Sequence, residues 1–262
     1  MIRYKAVLSY DGTDYFGFQQ QKPHLPTIEG EVKKALEKAF GISSKVIPAG
    51  RTDRGVHAQA QVMTFDSATD IDPQTINKGL NALLPEDIQV CDVQRTTPDF
   101  HPRYNAVSRT YIYRFAQNPV PVFVQRYVTV VSYPFDFAWI SEIESIFLGR
   151  KDFINFQSQG SKAKTTLKNI SEFKLTQGKF GGIGAEELQD RFYTLKIKAD
   201  GFLYKMVRNI VGCVWEVLRG KQSIEDLKEQ FNTKNKAFHY ITAPPQGLCL
   251  LKVDYEKRSL TV

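Results

Sequence analysis

The alternation of strand and helix patterns in residues 2–95 constrains the fold more than any other feature of this chain. Residues 2–10 (IRYKAVLSY) alternate as a strand, with Tyr4, Ala6 and Leu8 on one face. Residues 27–40 carry Ile28, Val32, Ala35, Leu36 and Ala39 at helical spacing, with Thr27 placed to cap the start and Gly41 to stop it. A short strand at Val46 and Ile47, an alternating strand over 58–66, a helix over 73–84 and a strand over 88–95 complete the series. The order β-α-β-β-α-β is the split βαβ arrangement of a ferredoxin-like domain.

The second half repeats the theme. A strongly β run covers 110–116, a helix 137–148, paired strands 167–177 and 192–200, and a long apolar helix 202–219. Ser223 caps a further helix to Phe231, and 248–255 reads as a closing strand. The expected fold is therefore α+β, two ferredoxin-like domains whose sheets join, with the division near residue 105: residues 1–105 and 106–262. Gly181, Gly182 and Gly184 read as a hairpin turn. No GK[ST] and no strand-to-helix setting accompany them, so neither a P-loop nor a Rossmann enzyme is supported.

Several other classes are excluded by simple counts. Cys91, Cys213 and Cys249 lie far apart, so there is no paired motif for zinc or redox work and no disulfide framework. The four histidines are scattered, and no metal site is expected. No apolar run is long enough to span a membrane, and the charged N-terminus is unlike a signal peptide. A soluble, reducing, cytoplasmic setting is the expectation.

The formal charge of +7 over 262 residues is mild, and its placement says more than its sum. Six lysines at 151, 162, 164, 168, 174 and 179 face only Asp152 and Glu172 in that stretch. Arg95, Arg103, Arg109 and Arg114 are interleaved with Phe100, His101, Tyr104, Tyr111 and Tyr113. Cations serve phosphates and rings serve unstacked bases, so the mixture suits a nucleic-acid surface, although a solvated loop and an ordinary strand would look the same.

The loop Gly50-Arg51-Thr52-Asp53-Arg54-Gly55-Val56-His57 joins two apolar strands. Asp53 between two arginines has its ionised form favoured. An ionised carboxylate on a glycine-bounded loop can act as nucleophile or base, or it can be a turn residue in a surface ion pair. His57 reads as a structural hydrogen-bonding group of the loop, and His101 as an RNA contact.

The stretch GRTDRGVHA resembles the signature of the tRNA pseudouridine synthase A family. Four further segments resemble that family in order: YDGTDYFGFQ at 10–19, FHPRY at 100–104 with RTYIY at 109–113, GFLYKMVRN at 201–209, and APPQGL at 243–248. Together they span nearly the whole chain. The resemblance implies the pseudouridine synthase fold and isomerisation of uridine to pseudouridine at positions 38, 39 and 40 of tRNA, by a homodimer with no cofactor. It implies that Asp53 is the catalytic aspartate, as nucleophile or as the base of an elimination. It implies that Tyr111 stacks on the extruded uracil, that Arg208 pairs with the carboxylate, and that Leu248 walls the pocket. Arg51, Thr52 and the segment Phe100, His101, Arg103 and Tyr104 would handle RNA, with Lys162, Lys164 and Lys168 adding phosphate contacts. Arg54, Phe18 and Pro102 depart from the family's common Ala, Trp and Ala. A non-catalytic RNA-binding protein and an aspartate hydrolase releasing free uracil are the competing classes.

Overall fold

In the computed structural model, residues 1–22, 24–160, 163–178, 191–233 and 239–256 are described. Two compact units divide the chain. The first comprises Met1–Arg109 and the closing strand from Cys249, and the second comprises Thr110–Leu248.

In the first unit, β1 (Ile2–Tyr10) buries Tyr4, Ala6 and Leu8 completely, the face the alternation predicts. Helix α1 (Ile28–Phe40) starts where Thr27 accepts the Gly30 amide, and ends at Gly41 in the left-handed region (φ 65°). The short β2 (Ile47–Pro48) precedes the loop of interest, and β3 (His57–Ser67) follows it. Helix α2 (Pro73–Asn81) is capped by Asp72, which accepts the Thr75 amide, and leads to β4 (Ile88–Thr96). Strand β1 is antiparallel to β3 on one side, with Tyr4 opposite Phe65, and antiparallel to β4 on the other, with Tyr4 opposite Arg95. Strand β2 lies on the far edge of β3, with Pro48 opposite Met63. The resulting order β4-β1-β3-β2 is that of a split βαβ unit.

Strand β5 (Ala106–Gln117) begins in the first unit and continues in the second. The second unit adds β6 (Thr129–Val131), α3 (Ile140–Phe147), β7 (Gly149–Asp152), β8 (Leu167–Gln177), β9 (Phe192–Ala199), α4 (Met206–Leu218) and α5 (Ile224–Asn232). Its strands run β5-β9-β8-β7, with β6 parallel to β5. Aromatic rings make much of its core. Phe115 packs on Tyr193 and Trp215, and Phe147 stacks on Phe173 with centroids 4.7 Å apart. Ser223 and Asp226 form the capping box that starts α5.

Three features differ from the sequence reading. Helix α4 starts at Met206 rather than Phe202, because Lys205 takes a left-handed conformation (φ 57°) that no α-helix can contain. Strands β6 and β7, with three and four residues, are too short to show a period. The closing strand β10 (Leu248–Tyr255) belongs from Cys249 onward to the first unit, where a division at residue 105 does not put it. The reason is a non-local pairing: Cys249 and Leu250 lie in parallel register with His57 and Ala58. They take the part of the β3 edge that two-residue β2 leaves open. The turn expected at Gly181–Gly184 lies outside the described residues. Among the described residues no helix is long and apolar enough to cross a membrane.

Candidate active site

The loop between β2 and β3 is gripped by the segment that follows β1. The Phe18 amide donates to the Thr52 carbonyl at 3.1 Å, and the Gly55 amide donates to the Tyr15 carbonyl at 3.3 Å. Such approach demands glycine. A Cβ on Gly12 would lie 2.1 Å from the Val56 carbonyl oxygen. One on Gly17, whose φ is +90°, would lie 2.6 Å from that of Thr52. The two glycines of YDGTDYFG thus let two backbones touch on either side of Asp53 in the chain, at Thr52 and Val56.

Asp53 is half-buried, and its carbonyl accepts the Val56 amide at 3.1 Å, which folds the loop into a turn. Arg51 is exposed, while the guanidinium of Arg54 lies over the Phe16 ring, 4.2 Å from its centre. His57 is buried. The Gly12 amide donates to its Nδ1 at 3.1 Å, and Asp11 Oδ1 is 3.1 Å from the same nitrogen. This ring ties the two segments together, the structural role that its position suggested.

Two of the expected substrate contacts are interior. Thr52 is buried, and its hydroxyl is 2.9 Å from that of Tyr10. Phe100 is 2% exposed and packs on Tyr255 with ring centres 5.2 Å apart. Both anchor their segments from the interior, Thr52 through Tyr10 and Phe100 through Tyr255.

Beyond Phe100 the chain turns outward. His101 Nδ1 accepts the amides of Arg103 and Tyr104 at 3.2 and 3.4 Å. Partial burial holds its pKa below the ordinary imidazole value. The rings of His101 and Tyr104 are 4.2 Å apart, and Tyr104 is 76% exposed beside Arg103. The result is an aromatic-cationic step suited to stacking a base. Arg109 braces this step against the loop: one of its guanidinium nitrogens donates both to the Arg103 carbonyl, at 2.6 Å, and to the Ala49 carbonyl, at 3.1 Å.

The second unit brings three other motif segments together. Tyr113 is fully buried, and its hydroxyl donates to the Pro244 carbonyl at 2.8 Å. Burial pushes its phenol well above the usual range. Tyr111, two residues earlier, is half-buried and meets the Phe202 ring edge-to-face at 5.1 Å. The two tyrosines of RTYIY therefore differ in kind, one an internal anchor and one partly open. Arg208 stands in the first turn of α4, and its Nε donates to the Ala243 carbonyl at 2.6 Å. Leu248 is buried to the same degree as Thr52. Lys168 of β8 lies opposite Lys151 of β7, whose ammonium is drawn to the Ile146 carbonyl and the Phe231 ring. Lys164 is exposed, and Lys162 lies outside the described residues. Among the described residues no set of three His, Cys, Asp or Glu side chains is placed to hold a metal.

A family model described as tRNA pseudouridine synthase matches residues 6–105 and 145–256. The chain belongs to the tRNA pseudouridine synthase family. As a member of that family it is an isomerase. The tRNA pseudouridine synthase A of Maridesulfovibrio salexigens is 36% identical to it, over 97% of this chain and 91% of its own. The protein of the same name from Thermodesulfovibrio yellowstonii is 37% identical over 97% and 100%. That of Geobacillus sp. strain WCH70 is 38% identical over 97% and 98%. Family segments that looked like isolated motifs are thus joined by contacts within each unit: YDGTDYFGF to GRTDRGVH in the first, and GFLYKMVR, RTYIY and APPQGL in the second. Tyr10 and Gln61 carry the first joint and Tyr113 and Arg208 the second. Three of them sit inside motif segments, while nothing local to Gln61 marks it.

Proposed function

We propose that this pseudouridine synthase converts uridine to pseudouridine at positions 38, 39 and 40 in the anticodon stem-loop of tRNA, working in the cytoplasm as a homodimer without a cofactor. Asp53 is the reacting carboxylate. It either attacks as nucleophile or removes a proton to begin an elimination, so that the bond from N1 to C1′ breaks. The uracil turns, C5 bonds to C1′, the C5 proton leaves to solvent and N1 gains a proton. Substrate and product therefore have the same composition, and no redox step or metal is needed.

The remaining roles are those that the family resemblance implies. The target base must leave its stack to be reached. Tyr111 stacks on the extruded uracil, and Leu248 walls the apolar side. Arg208 pairs with the Asp53 carboxylate and fixes its rotamer. Arg51, His101, Arg103 and Tyr104 receive the RNA around the flipped base, and Lys162, Lys164 and Lys168 hold phosphates without reading sequence. The observation that carries this reading is the treatment of Asp53. A half-buried carboxylate sits on a loop whose backbone is clamped by two glycine-enabled contacts, in a member of a uridine-isomerising family.

The test uses tRNA tritiated at uracil C5. The wild type releases tritium, and Asp53→Asn does not. Equal release from both overturns the role of Asp53, and free uracil among the products overturns isomerisation in favour of hydrolysis. Pseudouridine mapping of the product tRNA checks positions 38 to 40, and sedimentation checks the dimer.

A further inference from the structure

Beneath the Asp53 loop lies an amide that no motif singles out. Gln61 of β3 is completely buried. Its Nε2 donates to the Gly50 carbonyl at 2.8 Å and reaches the Tyr10 hydroxyl at 3.5 Å. That hydroxyl is in turn 2.9 Å from Thr52 Oγ1. One amide therefore addresses Gly50 directly and Thr52 through Tyr10, the residues three and one before Asp53.

The other end of the amide is the informative one. Gln61 Oε1 is buried without a hydrogen-bond partner. Turning the amide over would set this oxygen against the Gly50 carbonyl oxygen, so the orientation is fixed by the acceptor it serves. An unpartnered buried carbonyl is unfavourable, and a hydrocarbon of the same length would fill the space without that penalty. What glutamine does here that methionine cannot is hold the Gly50 carbonyl and steady the Tyr10–Thr52 hydroxyl pair.

We propose that Gln61, with Tyr10 as its relay, is a positioning residue that sets the loop so that the Asp53 carboxylate meets the base at reacting distance. This rests on the reading of Asp53 as the reacting group. Misplacing a reacting group by about 1 Å lowers the rate by about 100-fold. A loop held at both Gly50 and Thr52 has little room for such an error, and one without Gln61 loses the direct tether.

The deciding variant is Gln61→Met, close in length and free of the orphan oxygen. The expected result is a fall in kcat for tritium release of about 10- to 100-fold, with KM for tRNA within about twofold. The melting temperature stays the same or rises. A packing role predicts the reverse, and a lowered melting temperature with unchanged kcat overturns the proposal. Tyr10→Phe keeps the Gly50 bond and removes the relay, so its kcat falls by less. If Gln61→Met does not fold, wild-type kcat in Tyr10→Phe overturns the proposal by itself. Asp53→Asn separates the two claims. If it is inactive while both other variants have wild-type kcat, positioning fails and the Asp53 reading stands; if it is active, both fail.

Discussion

Arg208 and Ala243 hold each other by two hydrogen bonds of opposite sense. The Ala243 amide donates to the Arg208 carbonyl at 3.1 Å, and Arg208 Nε donates to the Ala243 carbonyl at 2.6 Å. One bond belongs to the backbone and survives any substitution at 208, while the other needs a guanidinium. Arg208→Lys keeps the charge and loses that second bond and the planar fork. A bond to a charged donor contributes about 1.5–3 kcal/mol to stability, so the variant should melt several degrees lower, and its activity should fall if the guanidinium also serves Asp53. Steady-state tritium release and a thermal melt, measured together, check this; wild-type activity in the lysine variant removes Arg208 from the site.

Gly17→Ala should damage both stability and activity. The new methyl meets the Thr52 carbonyl at 2.6 Å on a backbone with φ +90°, and backbone cannot swing aside as a side chain can. The left-handed conformation alone disfavours alanine by about 1–2 kcal/mol, and the close approach adds to it. The expected variant melts several degrees lower and releases little tritium at a temperature where it is still folded. Full activity at that temperature would show that the loop does not need this glycine.

Tyr104→Ala should leave stability unchanged, because the ring is 76% exposed. Stacking of a base on an aromatic ring contributes about 1–3 kcal/mol, so KM for tRNA should rise by about 5- to 100-fold. An unaltered KM means that the His101–Tyr104 step does not receive RNA.

The His101 imidazole has its pKa lowered by partial burial, so the fold favours its neutral form. Its stabilising contribution is complete above the ordinary unfolded value of about 6.5 and is lost as pH falls from there through the lower folded pKa. Protonation at Nδ1 also removes the acceptor used by the amides of Arg103 and Tyr104. An NMR titration should place the His101 midpoint below that of free imidazole side chains, with the Arg103 and Tyr104 amide resonances moving at the same pH. A midpoint at or above about 6.5 contradicts this account.

Lys164→Ala and Lys168→Ala should each weaken tRNA binding uniformly across tRNA sequences. A lysine that neutralises one phosphate displaces about one counterion, so removing it should reduce the slope of log K against log salt by about 1. Binding curves between low and moderate salt check this, and an unchanged slope for either variant shows that its lysine does not meet a phosphate.

Much of the local architecture is readable from the residues themselves. Thr27 and Gly41 bracket α1, Ser223 starts α5, and the alternation of Tyr4, Ala6 and Leu8 selects the buried face of β1. These follow from caps and periods that act within a few residues. The start of α4 was not readable, because Lys205 adopts a conformation unusual for any residue except glycine, and no side-chain type announces it.

The site divides in the same way. By itself the sequence determined the family, through five segments in order, and the residue types able to do the chemistry: a carboxylate, a tyrosine and an arginine. Only the tertiary structure decided which side chains face inward. Thr52 and Phe100 share motif segments with exposed neighbours yet are buried, and Gln61 holds the loop from a strand that reads like any other. It also decided that the last strand runs beside the start of β3, Cys249 against His57. Caps and periodicity are short-range effects written in neighbouring residues. The direction of a loop side chain and the pairing of residues 57 and 249 depend on what packs around them, which exists only once the chain has folded.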